Sequence, residues 1–134
     1  MKLIIEQDKE KAKSLKNIAT ITLNRLQETN KEKYPSNTLK DYYDILKSLM
    51  EALNFIEGIK FKGDAAHYET IEHISLKYNL IDSKRRLLQN LRDYRNKISY
   101  EGFNIKESFI KLNSKKIESI IQELLKLIEN KLKL

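Results

Sequence analysis

Helix-breaking residues are almost missing from this chain. Its 134 residues include three glycines and one proline, so long stretches run without a point at which a helix would have to stop. Along those stretches apolar side chains return at steps of three and four. Ala12, Leu15, Ala19, Thr22 and Leu26, with Ile18 beside them, form one such stripe and predict a first helix from about Gln7 to Thr29. The polar run from Asn30 to Asn37, which holds Pro35, reads as a loop. Thr38-Leu39-Lys40-Asp41 then resembles a capping box, opening a second helix to about Ile59. Its stripe of Leu39, Tyr42, Leu46, Leu49, Leu53 and Ile56 is widened by Tyr43, Ile45, Met50, Ala52 and Ile59, as expected of a central helix with several neighbours.

Asp64 is the expected N-cap of a shorter third helix reaching Tyr78, and Asp82 that of a fourth, with Leu87, Leu88, Leu91 and Ile98 inward and Gly102 ending it. Phe103, Ile105, Phe109 and Ile110 then pack back from a loop. Asn113 or Ser114 caps a last helix with Ile117, Ile120, Ile121, Leu124 and Ile128 inward. No strand pattern competes. The expected fold is all-α: an antiparallel helical bundle of four to five helices, forming one domain over residues 1–134.

Several chemistries are excluded early. Without cysteine there is no disulfide or thiolate metal site. Three scattered glycines build no phosphate-cradling loop, and no Ser-His-Asp arrangement is present. No cofactor or metal is expected. No stretch approaches the roughly 18 apolar residues that span a bilayer. The basic, amphipathic C-terminal helix is more simply a bundle helix than a membrane-surface one. The first residues lack the apolar length and cleavage pattern of a signal peptide, so a cytoplasmic location is expected.

The net charge of +7 favours polyanionic partners, nucleic acid first, although much of it is ordinary solvated lysine. The distribution of arginine is more informative. Lysine outnumbers arginine 21 to 5, yet Arg85, Arg86, Arg92 and Arg95 fall within eleven residues. Guanidinium binds phosphate or carboxylate through a planar, two-pronged contact that lysine cannot copy. On a helix Arg95 shares a face with Leu88, Leu91 and Ile98. A charge in an apolar stripe faces an internal acid, lines a cleft, or sends its head to water past its own buried stem. Arg92, Arg95 and Ser99 lie one turn apart on one edge. Arg95 and Tyr100 are about 140° apart on an ideal helix and converge only if the helix ends or tightens near Ser99. His67 and His73, six residues apart on the third helix, share no face and read as structural.

The run Arg95-Asn96-Lys97-Ile98-Ser99-Tyr100 resembles the Arg-Asn-x-(Ile/Leu)-(Ala/Val)-His signature of HEPN domains, small helical bundles that usually pair as dimers. The likeness extends to Tyr42-Tyr43 in the long central helix, to Tyr68-Glu69-Thr70-Ile71, and to Asn79-Leu80-Ile81-Asp82. In that family the Arg and His cleave RNA without metal, through attack of a ribose 2′-OH on the adjacent phosphate. The resemblance implies that Arg95 holds phosphate, that Asn96 positions it, and that Arg92 and Ser99 extend the nucleic-acid-binding edge. The catalytic pair would be Arg95 and Tyr100, with tyrosine where the family has histidine. Tyrosine titrates near 10 and histidine near 6.5, so Tyr100 is a poor proton acceptor at neutral pH. A histidine from a dimer mate would be one replacement. Some HEPN toxins also carry a tyrosine two residues beyond the histidine that a partner nucleotidyltransferase modifies; Gly102 stands there.

The expected function is therefore a HEPN-like homodimer that binds RNA or a nucleotide through an arginine-rich cleft, with catalysis weak or lost. The alternatives are a metal-independent endoribonuclease of toxin type and an interaction partner of a nucleotidyltransferase.

Overall fold

The computed structural model describes residues 1–133 and is an all-α bundle with one small sheet. The order is β1 (Lys2–Ile4), α1 (Lys9–Gln27), α2 (Pro35–Glu57), β2 (Ile59–Phe61), α3 (Ala66–Lys77), α4 (Asp82–Glu101) and α5 (Glu107–Leu132). The core is a single cluster in which α2 is central, packing against α1, α5, α4 and α3. The wide apolar stripe of α2 is the cause. Leu39, Tyr42, Tyr43, Ile45, Leu46, Leu49, Met50, Ala52, Leu53 and Ile56 are all buried, leaving little of its circumference for solvent. No described helix is long and apolar enough to cross a membrane.

α1 starts where the Asp8 side chain accepts a hydrogen bond from the Lys11 N–H at 2.9 Å. Ala12, Ala19, Leu23 and Leu26 are buried, but Ile18 is exposed on the far side of the stripe. α2 begins three residues before the expected capping box, with Pro35 as its first residue. Proline suits that place because its φ is already helical and its missing N–H would have had no intrahelical acceptor. Thr38 is therefore inside α2, and its hydroxyl donates to the Lys31 carbonyl at 2.6 Å, fixing the loop before the helix.

The sheet is the one element that the sequence pattern did not announce. β1 and β2 pair antiparallel, with Lys2 opposite Phe61, Leu3 opposite Lys60 and Ile4 opposite Ile59. Three-residue strands are too short for an alternation to register, and backbone pairing supplies what pattern does not. The clasp continues through Ile5 N–H to Gly58 O and Asp8 N–H to Phe55 O, both 2.9 Å. Gly58 permits this by turning out of α2 at φ +78°.

α3 is capped at Ala65 rather than Asp64, and α4 has Ile81 as its cap with Asp82 as its first helical residue. There Asp82 pairs with Arg85 at 2.8 Å and Arg86 at 2.8 Å, acting as first-turn charge instead of cap. α5 starts six residues before Asn113. Both expected caps lie inside it and bond back into their own helix, Asn113 to the Phe109 carbonyl (2.9 Å) and Ser114 to the Ile110 carbonyl (2.5 Å). Phe109 and Ile110 thus pack from a helix rather than a loop. Deeper along α5, Glu118 accepts from the Tyr42 hydroxyl (2.5 Å) and pairs with Lys31 (3.2 Å). Burial would raise its carboxyl pKa, but these partners outweigh that and hold it low, so the tie stays charged at neutral pH.

Candidate nucleic-acid interface

α4 carries every residue of the sequence motif, and α3 lies along it. Arg85, Gln89 and Arg92 recur at steps of four and three and so face the same neighbour. Arg85 pairs with Glu72 at 3.1 Å. The Gln89 amide donates to the Tyr68 carbonyl (3.1 Å) and to Glu72 (3.0 Å). The Arg92 guanidinium stands 5.6 Å from the centre of the Tyr68 ring, donates to Gln89 at 2.8 Å, and pairs with Asp93 at 3.0 Å. The first turn of α3 is thereby fixed beside Arg92.

Arg95, one turn further on, is different from every other arginine. Arg25 pairs with Asp41, Arg85 and Arg86 with Asp82, and Arg92 with Asp93. Arg95 is half-buried, its Nε is shielded from solvent, and among the described residues it has no ion pair and no hydrogen-bond acceptor. No internal acid therefore explains a charge in this apolar stripe; its Nε is shielded, and the terminal nitrogens of the guanidinium are the part left open to water or to a ligand.

The groups around it come from three helices. Tyr43 of α2 is buried, which pushes its phenol up to about 12, while Arg92 and Arg95 pull in the opposite direction. His67, in the first turn of α3, is held below the usual histidine value by burial first and then by Lys47, Arg95 and Arg92. Lys47 lies one turn from Tyr43 on α2 and makes only a 3.9 Å contact with Glu51. Lys47, His67, Arg92 and Arg95 therefore share one electrostatic neighbourhood, in which Glu51 and Asp93 pair with Lys47 and Arg92 and leave Arg95 as the cation without an ion pair among the described residues. Such an arrangement attracts an anion and supplies planar donors to hold it.

The remaining motif residues do not gather there. α4 stays helical through Glu101, and the Gly102 N–H bonds five residues back to the Lys97 carbonyl. The last turn therefore opens rather than tightens, leaving Tyr100 about 140° around the axis from Arg95. Tyr100 is 80% exposed. Asn96 is half-buried and Ser99 exposed, and no hydrogen bond joins Asn96 to Arg95 among the described residues. The two histidines separate in role. His73 is engaged with Glu57 at 3.0 Å, and the Tyr78 hydroxyl donates to the same carboxylate. His67 makes no such bond among the described residues and lies within electrostatic reach of the arginines, a place that its position in the sequence did not indicate. The available signal was the spacing of Tyr43, Lys47 and Glu51 along one face of α2. No group of three or more potential metal ligands stands together among the described residues.

Comparison with protein families, curated proteins and solved structures yields no match. The reading of function therefore rests on the motif and on this geometry.

Proposed function

We propose that this chain is a HEPN-like, RNA-binding helical module whose anion site is the cleft of Arg92 and Arg95 on α4, completed by Lys47 of α2 and His67 of α3. The observation that carries the reading is Arg95: a half-buried guanidinium with no acceptor among the described residues, near Arg92 and Lys47, which suits phosphate. Tyr100 stands outside this group, which favours binding over acid–base chemistry at the motif. A homodimer is part of the proposal, since a two-fold pair would bring two such edges together.

The test is fluorescence anisotropy with a labelled single-stranded RNA over a salt series. Three phosphate contacts predict a log–log salt slope of about −2 for single strands. Arg95→Ala is expected to weaken binding roughly tenfold at low salt and to reduce the slope by about 0.7, the loss of one contact. Unchanged affinity in Arg95→Ala would remove the basis of the proposal.

One observation favours a second reading, that of an endoribonuclease. The neutral His67 imidazole lies beside the arginines, where the motif histidine is missing. In that reading His67 takes the 2′-OH proton, O2′ attacks phosphorus, and the bond to O5′ breaks, with O5′ taking a proton from water. The products are a 2′,3′-cyclic phosphate and a 5′-OH. Cleavage in EDTA would then vanish in His67→Gln and persist in Tyr100→Phe. Because burial first, and then the neighbouring cations, hold His67 low, the base stays available as pH falls past about 6.5. The rate would decline only at a lower pH, where the imidazole is finally protonated. Absence of cleavage with binding intact leaves the first reading alone.

A further inference from the structure

A cleft of about 180 Å³ opens between the C-terminal half of α2, β2 and the start of α3, with Glu51, Asn54, Phe61, His67 and Thr70 among its lining. Asn54 is its unusual wall. The residue is 4% exposed, and its side-chain carbonyl is fully shielded with no hydrogen-bond partner. An unpaired buried amide oxygen destabilises a fold, and exchanging the amide oxygen and nitrogen still leaves a shielded polar atom unpaired. On α2, where almost every other inward position is aliphatic or aromatic, leucine would have avoided that cost. Thr70 cannot satisfy the amide, because its hydroxyl is committed to the Ala66 carbonyl at 2.8 Å.

The dimensions and chemistry of the cleft restrict what relieves Asn54. An apolar cavity of about 150 Å³ accommodates one benzene, so this cleft holds one heteroaromatic ring system and not a whole nucleoside. Phe61 supplies an aromatic wall, and stacking on aromatic side chains is how single-stranded nucleic acids are held without regard to sequence. The Asn54 carbonyl and the Glu51 carboxylate are acceptors and call for N–H donors, while Lys11 and Lys60 on the same lining can donate to the ring nitrogens or carbonyls of any base. Adenine and cytosine each present an exocyclic amino group with two N–H donors, as does guanine, whereas uracil offers a single ring N3–H flanked by two carbonyl oxygens that would crowd these acceptors. His67 belongs to both places, lining the cleft and facing Arg92 and Arg95.

We infer that this cleft is the nucleobase pocket of the RNA site: it receives one base bearing an exocyclic amino group on Asn54, while the adjoining phosphate lies on Arg92 and Arg95. The inference rests on the RNA-binding reading above and adds base selectivity to it.

The experiment measures anisotropy of the full chain with labelled oligoadenylate, oligocytidylate and oligouridylate eight-mers. Oligoadenylate and oligocytidylate are expected to bind about tenfold more tightly than oligouridylate, the order of one good base contact. Asn54→Leu is expected to equalise the three while leaving oligouridylate affinity and its salt slope unchanged. Its melting temperature should match or exceed that of the parent, since an unpaired amide is removed. Should Asn54→Leu not fold, Asn54→Ala removes the same carbonyl without adding bulk and is expected to abolish the preference likewise. Equal, salt-dependent binding of all three oligomers by the parent chain would overturn the base pocket and leave the phosphate site standing. Binding of none would overturn both. A preference that survives Asn54→Leu would also overturn the assignment to this cleft.

Discussion

Leu49→Ala is expected to remove roughly 3–5 kcal/mol from the unfolding free energy, the upper range for deleting a fully enclosed leucine. For a chain of this length that corresponds to a fall of about 10–20 °C in melting temperature. Leu49 is completely buried on α2, the helix that the other four surround. A void there is walled by elements that α2 itself holds in place, so collapse around it is limited, and partial collapse is what lowers the cost elsewhere. Against a total stability of about 5–15 kcal/mol, the variant would be near the edge of folding at 37 °C. Leu76→Ala is the control. Leu76 is 82% exposed, and its removal should change stability by less than about 0.5 kcal/mol. Thermal melts followed by circular dichroism check both; similar shifts in the two variants would contradict a core centred on α2.

Gly58→Ala is the second large effect, expected at roughly 2–4 kcal/mol. Two costs combine. A side chain at left-handed φ costs about 1–2 kcal/mol, and Gly58 sits at φ +78°. A Cβ added there would also meet the Ile5 carbonyl oxygen at 2.7 Å. That atom is backbone, so β1 itself has to move, weakening the Ile5-to-Gly58 hydrogen bond that continues the clasp. Urea unfolding with an amide-resolved probe would read the total and show the damage concentrated in β1 and β2. A variant as stable as the parent would mean that the turn after α2 relaxes more freely than its hydrogen bonds imply.

The helices were legible because each stripe records one buried face, and the stripe of α2 reported its central place through its width. What the sequence hid has two physical sources. Helix starts were displaced at Thr38, Asp82 and Asn113 because a residue with capping chemistry serves equally well inside a helix, where Thr38 bonds to the Lys31 carbonyl, Asp82 pairs with Arg85 and Asn113 bonds to the Phe109 carbonyl. The sheet was hidden because Lys2–Ile4 and Ile59–Phe61 are held by backbone groups that every residue carries. At the site, Arg95 and Arg92 were found from composition and spacing alone. Lys47 and His67 were not, because their approach to α4 depends on how α2 and α3 pack. The expectation that Arg95 and Tyr100 approach each other required a helix ending near Ser99, and α4 continues to Glu101.

The two short strands have a consequence for how the molecule opens. β1 precedes α1 and β2 follows α2, so their pairing joins the two ends of an α-helical hairpin. A native molecule can release this fastening while α1, α2 and α5 stay packed, because few buried side chains depend on it. Amide protons of Leu3 and Lys60 should therefore exchange with solvent deuterium through a local excursion, orders of magnitude faster than those of Leu46 and Leu49, which await global unfolding. The hairpin then has two lifetimes, one fastened and one loose, and the loose one frees β2, which borders the Asn54 cleft.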